Sequence, residues 1–169
     1  DLLDLSELYL RALDKVADSR LGRSTILPLL AGSLQPRLDF ARYERGEQAA
    51  SRSNLNPSQV EAVAQAYATD LLHLIQGPPG TGKTVLLAHL VQLYVQEGRR
   101  VFVTALTHRA INNALNKIAA LDPDLPACKI GDERQAGDLH APNYKNFDES
   151  GFGDLPGGYV VGATPFATM

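Results

Sequence analysis

The chain has 169 residues, of which 44% are hydrophobic and 21% charged, enough for one buried core with a small appendage. Its net charge of −3 argues against a strongly basic nucleic-acid-binding module. A single cysteine, Cys128, excludes an internal disulfide and suits a reducing, cytoplasmic setting. No apolar run approaches the roughly 20 residues that span a bilayer, so no membrane partner is expected. The N-terminus lacks the basic-then-apolar order of a signal peptide and opens on Asp1, which reads as a piece cut from a longer protein. Charge is uneven along the chain: balanced over residues 1–52, mildly basic over 53–120 and acidic over 121–169.

In chain order, apolar residues at 2, 3, 5, 8, 10, 12, 13, 16 and 17 predict an amphipathic helix. Gly22 and Pro28 interrupt the next stretch, and the polar segment 36–53 reads as a linker or an exposed helix. Asn56-Pro57-Ser58-Gln59 is a helix start, with Asn56 as cap and Pro57 in the first turn. Leu71-Leu72-His73-Leu74-Ile75 predicts a buried strand that runs into a glycine-rich loop. A helix apolar almost all round is expected over 85–95, closed by Gly98. The next strand is expected at 101–105. After it comes a helix with Ala110, Ile111, Ala114, Leu115 and Ile118 on one stripe and Asn112, Asn113, Asn116 and Lys117 facing elsewhere. A short strand at 127–130, a mostly loop segment at 132–158 and a last strand at 159–164 complete the reading. Strands alternating with helices mean an α/β fold, a parallel sheet flanked by helices, behind a helical lead-in. The lead-in is placed at 1–54 and the sheet domain at 55–169.

Gly77-Pro78-Pro79-Gly80-Thr81-Gly82-Lys83-Thr84 matches G-x-x-x-x-G-K-[ST] in full, after a predicted strand and at the head of a helix. Glycines let the backbone curl so that successive N–H groups face phosphate oxygens, and the helix start adds the positive end of its dipole. Lys83 is suited to the β- and γ-phosphates, and the Thr84 hydroxyl to Mg²⁺. The expected ligand is ATP with Mg²⁺, with Lys83 and Thr84 as the catalytic candidates.

The flanks carry a resemblance. Leu55-Asn56-Pro57-Ser58-Gln59 resembles the glutamine motif of superfamily 1 helicases, in the subgroup of the nonsense-mediated-decay RNA helicase and the Okazaki-fragment nuclease-helicase. The stretch from Val101 through Thr107-His108-Arg109 to Asn112-Asn113 resembles that family's motif Ia. Lys129-Ile130-Gly131 and Val160-Val161-Gly162-Ala163-Thr164 resemble two of its later strand ends. The resemblance implies the front part of a RecA-like motor domain. It makes Gln59 the reader of adenine and puts Thr107, His108, Asn112 and Thr164 beside single-stranded nucleic acid, DNA ahead of RNA. Leu106 and His108 depart from the pattern, which usually has Pro and a small polar residue there.

In that family an acidic pair holding Mg²⁺ and activating water falls beyond the strand that ends near Thr164, and a second motor domain comes after it. The remaining motor domains of a parent chain are therefore expected partners, and the 169 residues alone are expected to hydrolyse ATP poorly. Asp132-Glu133 would serve as such a pair in an AAA+ motor acting on protein, but Lys129 and Gly131 break the apolar approach that such a pair requires. A nucleotide-binding module without catalysis is the third reading. The four histidines show no metal-ligand spacing.

Overall fold

The computed structural model describes residues 6–168, in two compact units, 1–37 and 38–169. The first unit contains α1 (Ser6–Asp18), a π-helical turn at Gly22–Ile26 and the short α2 (Leu27–Leu30). α1 matches the predicted amphipathic helix from Ser6 onward, while the apolar positions 2, 3 and 5 lie outside the described residues. Tyr9, Leu10 and Leu13 on α1 are exposed.

The second unit opens on α3 (Phe40–Ser51), started by Asp39, whose carboxylate accepts from the Arg42 N–H at 3.1 Å. α3 falls within the polar stretch read as lead-in. It packs along α4 (Pro57–Ala68), burying Gly46 and Ala50 against Ala64 and Tyr67. α5 (Lys83–Gln96) lies against α4 on one side and α6 (His108–Leu121) on the other. That explains why its sequence is apolar almost all round: Leu86 and Leu90 join the α3–α4 core, and Ala88 and Val91 join the core under α6.

The sheet is parallel, in the order β1 (Arg100–Thr104), β4 (Tyr159–Ala163), β2 (Ala127–Ile130), β3 (Asn143–Tyr144). The predicted stripe of α6 is the contact: Ile111, Leu115 and Ile118 are buried against one sheet face. Gly162 lets α6 come this close. A Cβ there would lie 2.7 Å from Ile111 and 2.8 Å from Leu115. The other face carries Cys128, Ile130, Tyr159 and Val161, covered in part by the 144–155 segment, with Phe152 edge-on to Tyr159 at 5.4 Å. Burial pushes the Cys128 thiol up to about 11, so it stays a protonated core group.

One expected strand takes a different form. Residues 71–75 run into the phosphate loop without entering a ladder, and Leu72 and Leu74 are 46% and 80% exposed. Apolar character favours a buried strand, but a strand also needs a neighbour to take its N–H and C=O groups. None of the four strands pairs with this segment.

A polar hub binds the helices on the side away from the site. Glu97, at the end of α5, accepts from the Tyr67 hydroxyl, from Arg42 at 3.2 Å and from Arg99 at 3.0 Å, while the Arg42 guanidinium lies 4.5 Å over the Tyr67 ring. Burial alone would raise the Glu97 carboxyl, but Tyr67, Arg42 and Arg99 together hold it below the usual carboxylate value. No helix among the described residues is long and apolar enough to cross a membrane.

Candidate functional site

The phosphate loop follows residues 71–76, which belong to no helix or strand, and turns at Pro79 and Gly80, delivering Gly82 as the residue before α5. Gly82 adopts φ 86°, in the left-handed region, and a Cβ there would sit 2.7 Å from Nε2 of Gln59. No side chain caps α5, so its first N–H groups are left for an anion. Thr81 closes the loop by donating its hydroxyl to the Pro78 carbonyl at 2.8 Å. Lys83 bends back over the loop, its Nζ donating to the carbonyls of Gly77 at 2.6 Å and Pro78 at 2.7 Å. Thr84 is exposed on the first turn of α5.

Gln59 reaches the same loop from α4. Its Oε1 accepts from the Asn56 N–H at 3.0 Å, and Oδ1 of Asn56 accepts from the Gln59 N–H at 3.0 Å, a reciprocal capping box. Its Nε2 donates to the Thr81 carbonyl at 3.1 Å. A carboxamide offers two N–H bonds and two lone pairs. Gln59 therefore keeps one donor and one acceptor for a further partner, the pair that adenine's N7 and N6 amino group would take. A cleft of about 510 Å³ opens here, lined by Asn56, Gln59, Ala62, Ile75, Gly77 and Lys83. Backbone donors, a lysine and an amide around one cleft are a donor set that fits an adenine nucleotide. Sequence reasoning did not foresee that Lys83 and Gln59 both hydrogen-bond to carbonyls of the loop itself.

A second group lies at the C-terminal ends of the strands. Thr107 caps α6, its hydroxyl accepting from the Ala110 N–H at 3.3 Å, and it remains exposed. His108 is half-buried against Gly131, where β2 ends. Thr164 follows β4 and is 2% exposed. Asn112 is 1% exposed: its Nδ2 donates to the Gln135 carbonyl at 2.9 Å and to the Asp138 carboxylate. The structure thus brings Thr107 and His108 to a surface and puts Asn112 and Thr164 beneath it. Asn112 and Asn116 face the 135–140 segment. The signal was present as two asparagines four residues apart, one face of a helix with donors and acceptors to dock a loop.

Asp132 opens a short 3₁₀ turn and binds Arg134 through both carboxylate oxygens, which holds it down at about 2. Its charge is committed to Arg134. Among the described residues no cluster of His, Cys, Asp and Glu could hold a metal ion.

The sequence matches the AAA domain family over residues 54–147, a stretch that runs from the capping box through the phosphate loop to β3. The chain belongs to the AAA domain family. It is 41% identical over 66 residues to the DNA replication ATP-dependent helicase/nuclease DNA2 of Saccharomyces cerevisiae, covering 39% of this chain and 4% of that protein. It is 35% identical over 77 residues to the DNA polymerase alpha-associated DNA helicase A of Schizosaccharomyces pombe, covering 46% and 11%. To the DNA-binding protein SMUBP-2 of Rattus norvegicus it is 37% identical over 67 residues, covering 40% and 7%. No solved structure gives a significant match. This AAA domain is an N-terminal motor region of the superfamily 1 helicase kind, the resemblance drawn from its motifs. It spans a small fraction of the relatives' length.

Proposed function

We propose that this chain is the ATP-binding part of a helicase motor that couples ATP hydrolysis to movement along single-stranded nucleic acid, DNA ahead of RNA. The observation that carries the reading is the direct hydrogen bond from Gln59 to the Thr81 carbonyl, which brings the Gln59 amide to the phosphate loop at one cleft. The bound nucleotide and Mg²⁺ would supply the transferable phosphoryl group and the charge neutralisation that loosens it. The chain's own part is to bind and orient. Backbone N–H groups of 80–84 hold phosphate oxygens, Gln59 holds the base, and Thr84 faces the metal. Lys83 exchanges its two loop carbonyls for phosphate oxygens, a trade of neutral acceptors for charged ones that favours the bound form.

Movement along a strand needs a second surface, and Thr107 and His108 at the head of α6 are its candidates. A helix N-terminus with hydroxyl and imidazole groups suits backbone phosphates. The relatives' printed names include DNA helicases and a DNA-binding protein, which is why DNA stands first. The carboxylates that would activate water belong, on this reading, to other parts of the parent protein, as the family resemblance implies. Hydrolysis by these 169 residues alone is accordingly slow.

The test is binding of fluorescent single-stranded DNA and RNA with and without ATP–Mg²⁺ at two salt concentrations, with Thr107→Ala/His108→Ala as control. Binding that weakens with salt and is lost in the control supports the reading. Nucleotide binding with no strand binding under any condition removes the strand-bound part of it.

A further inference from the structure

Lys129 is the anomaly of the sheet. It sits on β2, flanked by β4 and β3, with its side chain fully buried. A buried ammonium costs several kcal/mol unless it is paired and hydrogen-bonded. Its Nζ donates to the Gln135 carbonyl at 2.6 Å. Nδ2 of Asn112 donates to that same carbonyl and to the Asp138 carboxylate; burial pulls the Lys129 ammonium below its usual value, and the nearby Asp138 charge offsets part of that. One turn along α6, Nδ2 of Asn116 donates to the Asp138 carbonyl at 2.6 Å, and its Oδ1 accepts from the His140 N–H at 2.8 Å.

These bonds all act on one short segment, residues 135–140, and come from two elements, Asn112 and Asn116 of α6 and Lys129 of β2. The segment continues from Gly131–Arg134, the exit of β2. That exit touches the head of α6: a Cβ at Gly131 would lie 3.5 Å from Cε1 of His108 and 4.0 Å from Cε of Lys129. A buried ammonium is tolerated only through its partners, so the charge at 129 is a cost to the fold that these hydrogen bonds offset. The polar group is therefore better explained by where it holds the loop than by how much it stabilises the fold. Oδ1 of Asn112, buried with no donor among the described residues, adds to the same conclusion.

We propose that Lys129, together with Asn112 and Asp138, is a positioning residue for strand binding: it fixes the exit of β2 and residues 132–140 against the head of α6, where Thr107 and His108 meet the strand. This rests on the nucleic-acid reading above. Asn112 then serves the bound strand through the loop and not by touching it.

The test uses the full chain with Lys129→Met, and Asp138→Ala as a surface-exposed second variant that leaves the core intact. Three quantities are read: thermal stability, amide hydrogen exchange over 132–140, and affinity for a fluorescent single-stranded oligonucleotide. With Lys129→Met the midpoint of unfolding stays the same or rises, while exchange over 132–140 speeds up. Oligonucleotide affinity falls about tenfold, the effect of losing one well-placed charged hydrogen bond. Asp138→Ala gives the same two losses, and ATP affinity is unchanged in both. Unaltered exchange and oligonucleotide affinity in both variants overturns the proposal and makes Lys129 a filler of the core. If the wild-type chain binds no strand, the functional reading fails by itself. Exchange then decides the remainder: faster exchange in the variants keeps Lys129 as the loop's anchor, and unchanged exchange removes that too.

Discussion

The phosphate loop and the strand edge are built on opposite principles. Around Gly77–Thr84 the ligand-facing groups are mostly backbone, and eight consecutive residues with one neighbouring glutamine define the site. At the head of α6 the surface depends on side chains from α6, β2 and the 132–140 segment, which meet only in the folded chain. The first kind of site is expected to survive changes around it as long as its glycines and Lys83 remain, and the second to fail when a distant anchor is lost.

The largest expected effect sharpens this contrast. Lys83→Ala removes charge-assisted bonds to phosphate, net of the two loop bonds that Lys83 gives up, and lowers ATP affinity about 100-fold, about 2.7 kcal/mol in all, read by titration calorimetry. Its effect on single-strand binding without nucleotide is nil, and a parallel loss there would break the separation of the two sites. Gly162→Ala comes next. The new methyl meets Ile111 and Leu115 inside normal contact distance, costing about 1–3 kcal/mol of stability. Thermal unfolding would show it, and strand binding should suffer more than nucleotide binding, because Gly162 sits beneath α6.

Gln59→Ala is expected to cut ATP affinity about tenfold and erase any preference over GTP, with about 1 kcal/mol of stability lost from the capping box. Equal losses for both nucleotides would mean that Gln59 acts only as a cap. The smallest effect is at the hub. Glu97 has a lowered carboxyl value in the folded chain, so its contribution is present above the unfolded value near 4.5 and is lost as pH falls below that. Glu97→Gln flattens the acid limb of a stability profile as pH falls through the carboxylate range, and leaves both binding sites unchanged.

The same contrast explains what could be read in advance. Asn56, Gln59 and the phosphate loop were legible because local spacing dictates a cap, a turn and a helix start. The stripe Ile111, Leu115, Ile118 came from helical periodicity, and the strands at Arg100–Thr104 and Tyr159–Ala163 from the short apolar runs expected at 101–105 and 159–164. Residues 71–75 were apolar enough for a strand, but pairing is a property of neighbours and not of the segment. The placement of α3 against α4 was hidden because its contact is made by Gly46 and Ala50, which carry almost no hydrophobic signal. Asn112 was assigned to a surface for the same reason: its partners, Gln135 and Asp138, lie more than twenty residues away.

The most direct measurement is titration of ATP–Mg²⁺, and separately of GTP–Mg²⁺, into the wild-type chain. The account predicts saturable binding of one nucleotide per chain with ATP preferred. Absence of binding at millimolar nucleotide would contradict it, because the cleft beside Gln59 and Lys83 would then hold no adenine nucleotide.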